Sequence, residues 1–225
     1  MKDARAILKR LKSLGNERNR AGMARFGIET KNAYGIPIPH LRKLAKEIGI
    51  NHQLAFKLWD SGIHEAMLLA CFVDDPEKVT QLQMEQWAKD FNSWDICDQC
   101  CGNLFDKTEY IRKKALQWSR RDEEFVKRAG FVLMAALSVH DKHAGDSEFV
   151  KFLPLIQKES CDERNFVKKA VNWALRQIGK RNRFLNKKAI ETAKKIAHVD
   201  SQTARWIASD ALRELTNDKL QKRLK

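Results

Sequence analysis

The chain has 225 residues, 43% hydrophobic and 32% charged, with a formal charge of +14 from 43 Lys and Arg against 29 Asp and Glu. This is a globular composition with length enough for a sizeable core, which excludes a disordered tail, and so basic a balance points to a polyanionic partner, nucleic acid before an anionic membrane. No run approaches eighteen apolar residues and MKDARAILKRLKSLG lacks an apolar signal core, so the five cysteines (71, 97, 100, 101 and 161) are expected to be reduced thiols of a cytoplasmic protein.

The predicted elements are helices throughout. Pro occurs four times and Gly ten times, and no alternating run rich in β-branched residues supports a strand. Pro37-Ile38-Pro39 predicts a stiff connector before a helix beginning near His40. Asp75-Pro76 predicts a helix start with Pro in first position. Asn92 or Ser93 predicts a cap for a helix on which Trp94 and Asp98 lie one turn apart on one face. The polar stretch from His140 to Asp146 reads as a loop. Ser160-x-x-Glu163 predicts a capping box ahead of the apolar face Phe166, Val167, Ala170, Trp173 and Ala174. Ser201 predicts the cap of the last helix, which buries Ala204, Ile207, Ala208, Ala211 and Leu212.

These helices resemble one another. The segment starting at Phe125 (FVKRAGFVL) matches the one starting at Phe166 (FVKKAVNWA) at an offset of 41 residues, with looser copies at Tyr110–Trp118 and from Thr203. A helical period near 40 predicts an all-α fold: a HEAT- or armadillo-like solenoid of antiparallel helix pairs with a concave basic face, one repeat domain over residues 1–225. Such a face suits a long regular ligand such as a duplex.

From Arg164 to Lys188 there are nine basic residues and no acid. Lys169, Arg176 and Lys180 fall at steps of seven and four, with Trp173 among them and Arg181 following. Phosphate contacts of this kind position a duplex without reading its sequence. On the helix from Trp94, an indole and the Asp98 carboxylate point the same way. Asp98 has two readings: an ion pair with a neighbouring arginine, or electrostatic stabilisation of a cation that develops in a transition state. Asp95 suits the first helical turn. Cys97-x-x-Cys100-Cys101 and His140-x-x-His143 lack the partners of a zinc set, so no metal is expected. There is no GxGxxG, Walker or GxSxG motif.

Met23-Ala24-Arg25-Phe26, Tyr34-Gly35-Ile36, Trp94-Asp95-x-x-Asp98, Lys127-Arg128-Ala129 and the segment from Phe166 to Arg176 together resemble the AlkD-like DNA alkylation repair family over essentially the whole chain. That resemblance implies a HEAT-like alkylpurine DNA glycosylase acting as a monomer on double-stranded DNA, without cofactor or membrane, and leaving an abasic site. It implies that Trp94, Trp173 and Asp98 flank the deoxyribose of the damaged nucleotide and that Arg128 contacts the backbone near it. Phe26 stands where relatives usually carry Tyr, so a polar contact made there is lost. Some relatives with the fold lack glycosylase activity, and the alternative is a non-catalytic module for damaged or branched DNA. Trp59, Trp87, Trp118 and Trp206 match no motif and are expected to pack.

Overall fold

The computed structural model describes residues 3–224. These form helices joined by turns, with no strand among the described residues. They fall into two compact units, Met1–Thr108 and Glu109–Lys225.

The first unit holds α1 (Ala4–Ser13), α2 (Glu17–Met23), α3 (Ile38–Ile48), α4 (His52–Trp59), α5 (His64–Val73), α6 (Gln81–Lys89) and α7 (Trp94–Asn103), with single 3-10 turns at Ala24–Phe26 and Phe105–Lys107. The side chains of Asp3, Asn16, Asn51 and Thr80 accept from the first-turn amides of α1, α2, α4 and α6, each cap contributing about 1 kcal/mol. Helix α5 is buried along almost its whole length and packs against α3, α4 and α7, as a helix apolar on all sides must. Beside it Trp59 stacks on Trp87 with centroids 3.9 Å apart, and the Trp59 Nε1–H donates to Asp90 at 2.8 Å.

Glu65 of α5 organises this unit. Its carboxylate is 1% exposed and accepts the amides of Tyr34 at 2.8 Å, Gly35 at 2.6 Å and Ile36 at 3.2 Å. Gly35 has φ +76°, and a Cβ there would lie 2.3 Å from the Asn16 carbonyl oxygen and 2.5 Å from the Arg20 nitrogen. The Tyr34-Gly35-Ile36 motif is thus a loop wrapped around a buried anion.

The second unit holds α8 (Ile111–Trp118), α9 (Glu124–His140), α10 (Asp146–Val150), α11 (Leu153–Lys158), α12 (Asn165–Gly179), α13 (Arg183–Ala197), α14 (Gln202–Leu215) and α15 (Asp218–Gln221). Within it α12 lies between α9 and α14 in one layer, while α8 pairs with α9, and α13 packs on both α12 and α14. Gly130 lets α9 approach α8: a Cβ there would sit 2.2 Å from the Ser119 nitrogen. The segments related by 41 residues open α9 and α12, and their phenylalanines, Phe125 and Phe166, meet with centroids 5.5 Å apart. The copy from Thr203 opens α14 in the same layer. Tyr110–Trp118 instead leads into α8, the partner helix of a pair, so its likeness is one of composition rather than of position.

Four local expectations are corrected. Asp75-Pro76 opens only a turn, closed by the Lys78 amide on the Asp75 carbonyl at 3.0 Å. Val79 must then bury and Thr80 extends to cap α6, so the turn cannot propagate. Ser160 caps nothing ahead of it. Its hydroxyl donates back to the Gln157 carbonyl at 2.7 Å, Asp162 accepts from the Arg164 amide at 3.1 Å, and α12 starts at Asn165. The helix expected from His40 begins at Ile38, with Pro39 inside its first turn, where a missing N–H costs nothing. Ser201 does cap α14, accepting from the Ala204 amide at 3.3 Å. That helix buries Leu215 rather than Leu212, and α15 follows it.

Candidate nucleic-acid interface

Each unit carries part of the expected set. In the first, Phe26 ends the 3-10 turn after α2, and Trp94 and Asp98 begin α7. The Trp94 Nε1–H donates to the Phe26 carbonyl at 3.0 Å, which fixes the plane of a half-buried indole. Because the backbone makes this bond, Phe in place of Tyr leaves it intact. The Phe26 ring is 69% exposed and, with Met23, Ile28, Arg18, Arg25 and Trp94, lines an open cavity of about 770 Å³. Asp98, half-buried, follows Trp94 by one turn.

Behind this face lies a pair that the sequence did not reveal. His64 Nε2 sits 2.8 Å from Asp95 Oδ2, and the Ser93 hydroxyl donates to Asp95 Oδ1 at 2.7 Å. The imidazole is 4% exposed. Burial pushes the Asp95 carboxyl up, but the hydrogen bonds and charge of His64, the Ser93 hydroxyl and the Ile96 amide outweigh it and hold the group below its ordinary value. Asp95 therefore ties the start of α7 to α5, a tighter role than first-turn charge alone. The contact joins residues 31 apart, and no local pattern encodes that.

Four cysteines, Cys71, Cys97, Cys100 and Cys101, are buried between α5 and α7, whereas Cys161 is exposed. Burial drives the Cys100 and Cys101 thiols well up, so they are protonated, inert packing groups.

In the second unit Trp173 is half-buried on α12, and Lys169, one turn before it, is exposed. The acid-free run is not free of counter-charge in space. Helix α14 supplies it: Arg176 pairs with Glu214 at 2.5 Å and Asp210 at 3.6 Å, and Lys180 pairs with Glu214 at 2.8 Å. Asn172 donates to Asp210 at 2.7 Å and Lys168 lies 5.5 Å from the Trp206 ring centroid. Residues 168, 172, 176 and 180 thus form a ladder with 206, 210 and 214. The Glu214 carboxyl is pushed up by partial burial, yet Lys180 and Arg176 hold it below its ordinary value.

Arg181 donates to the carbonyls of Ser138 and Asp141, both at 2.8 Å, and stacks 4.1 Å from the Phe149 ring centroid. It therefore staples the loop after α9. Arg128 is 5% exposed and donates to the Phe166 carbonyl at 2.6 Å. Its neighbour Lys127 pairs with Glu159 at 2.8 Å and Asp162 at 3.3 Å. Trp59, Trp87 and Trp118 are core residues, but Trp206 is 42% exposed and is not one.

The lowered carboxyls give an acid signature. For Asp95, Asp162 and Glu214, burial raises each group and cationic or hydrogen-bonding partners pull it below its ordinary value. Their stabilisation is present above the unfolded range, about 4, and is lost as pH falls through the lower folded values. The thermal midpoint should therefore drop from about pH 4 downwards; a midpoint flat from pH 5 to pH 2.5 would contradict these pairings.

The chain matches the family described as DNA alkylation repair enzyme over residues 7–215. Uncharacterized proteins of Listeria monocytogenes and Listeria innocua are each 24% identical to it over 175 residues, covering 76% of this chain and 75% of theirs. Among solved structures, one is described as a new family of proteins related to the HEAT-like repeat DNA glycosylases with affinity for branched DNA structures. It superposes with a TM-score of 0.79 at 20% identity, covering 94% of both chains. The fold is therefore all-α and HEAT-like, as the repeat period predicted. A match spanning nearly every helix described above places the chain in the DNA alkylation repair enzyme family.

Proposed function

We propose that the protein is a monofunctional DNA glycosylase that releases cationic alkylated purines, of the 3-methyladenine and 7-methylguanine type, from duplex DNA. The observation that carries this reading is Asp98, one turn beyond an indole anchored by its Nε1–H at the rim of an open cavity. Alkylation at N3 or N7 makes the base a cation, so it departs as a neutral leaving group without a strong general acid. The electron pair of the glycosidic bond goes to the base, and positive charge develops on the sugar. The Asp98 carboxylate stabilises that charge and takes a proton from the water that attacks C1′. The face of Trp94 adds a cation–π term of about 0.5–2 kcal/mol. Trp173 is assigned the second indole role on the sequence resemblance alone, and Phe26 meets DNA through its exposed ring. Nothing in this chemistry calls for a metal or cofactor.

DNA contact is assigned unequally among the basic residues. Lys169 is exposed and meets phosphate directly. Arg176 and Lys180 are held by Glu214 and Asp210, and phosphate must compete with those acids. Arg128 and Arg181 act by shaping backbone that faces DNA. Lys169→Ala should thus reduce the slope of log affinity against log salt by about one. Measured by fluorescence anisotropy on a blunt duplex, an unchanged slope would remove Lys169 from the interface.

The second reading is a non-catalytic module for branched DNA. Phe26 in place of Tyr favours it, as does the described affinity of the structural relative. Free base released from methylated duplex, followed by chromatography, separates the two. Release of 3-methyladenine or 7-methylguanine supports the glycosylase, and none from a protein that binds DNA tightly supports the module.

A further inference from the structure

The ladder between α12 and α14 ends on a tryptophan that the proposed reaction does not use. Trp206 lies opposite the buried stripe Ala204, Ile207, Ala208 and Ala211 of its helix, so it faces solvent. It is 42% exposed, an unusual position for the largest apolar side chain. The Lys168 ammonium lies 5.5 Å from its ring centroid, Lys169 stands exposed beside it on α12, and Arg205, exposed on α14, pairs with the fully exposed Asp200 at 3.3 Å. Trp173 lies away from the buried stripe of α12 in the same way. Aromatic faces set among cations are what single-stranded nucleic acid uses: the base stacks on the ring, and the cations take the flanking phosphates.

We infer that Trp206 and Lys168 form a stacking platform for an unpaired base in a single-stranded arm next to the bound duplex. The inference rests on the reading that the chain binds DNA, and it adds a site outside the glycosylase residues. Helices α12 and α14 run parallel in this layer, with residue 168 level with 206. Trp206 is therefore five residues back from the level of Trp173 and one helix across. At 1.5 Å per residue and 8–10 Å between axes, that is roughly 12 Å. Three or four nucleotide steps of a stacked strand, at about 3.4 Å each, cover that distance. The platform and Trp173 can thus engage one strand simultaneously. Inside a duplex each base face is already stacked on its neighbours, so the site discriminates for junctions, forks and frayed ends. A protein or lipid partner would need a wider apolar patch than one ring, and the surrounding charge favours phosphate.

The test compares the full chain on a blunt duplex and on the same duplex extended by a single-stranded arm containing 2-aminopurine. Anisotropy gives affinity, and 2-aminopurine fluorescence reports stacking. Trp206 is exposed and Ala is a better helix former, so Trp206→Ala will fold. The wild type should prefer the armed duplex and quench 2-aminopurine. Trp206→Ala should lose about fivefold or more of affinity for the armed duplex, keep blunt-duplex affinity within about twofold, and no longer quench. Trp206→Phe should keep most of the preference. Equal losses on both DNAs, or a preference that survives Trp206→Ala, would overturn the platform while leaving DNA binding in place. A wild type that binds neither DNA would overturn both.

Discussion

Asp98→Asn should lower the rate of 3-methyladenine release by about 10²–10³-fold, the scale lost when one group that stabilises transition-state charge is removed. The substitution keeps shape and removes charge. Affinity for undamaged duplex should stay the same or rise, because a carboxylate near the DNA backbone repels phosphate. The asymmetry is the informative part. A purely structural Asp98 would weaken binding, thermal stability and base release together. Single-turnover release measured beside anisotropy and thermal unfolding separates the cases, and base release at the wild-type rate from Asp98→Asn would remove the carboxylate from the chemistry.

The largest loss of stability is expected at Glu65, far from any role in that chemistry. Its two oxygens accept three backbone amides at 2.6–3.2 Å in a site that is 1% exposed. Glu65→Ala strands all three donors, each at about 1–3 kcal/mol, and is expected to cost about 3–5 kcal/mol. Glu65→Gln is the finer probe. A glutamine carbonyl at the Oε1 position keeps Gly35 and Ile36, but its amide group then faces the Tyr34 N–H, donor against donor. The order of thermal midpoints should be wild type, then Gln, then Ala. An alanine variant as stable as the wild type would show that the 34–36 loop is held by other contacts.

Most of the fold was legible because it is written in local periodicity. The 41-residue offset between Phe125 and Phe166 corresponds to two helices that pack side by side, and Ser201 capped the helix it was expected to cap. Two of the errors share a cause, the competition of short polar side chains for nearby backbone. Ser160 prefers the carbonyl behind it, and Asp75 closes a turn on itself; both patterns are identical in sequence to helix starts. In the site, Trp94 and Asp98 were legible because an i, i+4 step needs no tertiary knowledge. The partners of Asp95 and Arg176 were not. His64 and Glu214 lie 31 and 38 residues away, so a stretch that looks uncompensated in sequence is partly compensated from a neighbouring helix, at Arg176 and Lys180. Trp206 was misread as packing because the apolar stripe beside it is complete without it.

The ladder between α12 and α14 also bears on how the second unit resists shear. Asp210 reaches both Asn172 and Arg176, and Glu214 reaches both Arg176 and Lys180, so each acid of α14 already spans two rungs of α12 one helical turn, about 5.4 Å, apart. Charge thus tolerates small axial slips of α14 in either direction and sets its register only loosely. The choice of register falls to Gly179, where a Cβ would already lie 2.6 Å from a methyl of Leu215 and 2.9 Å from the Ala189 Cβ. A bare backbone notch filled by one leucine is thus a steric detent in this layer, set beside a charge ladder that yields more easily.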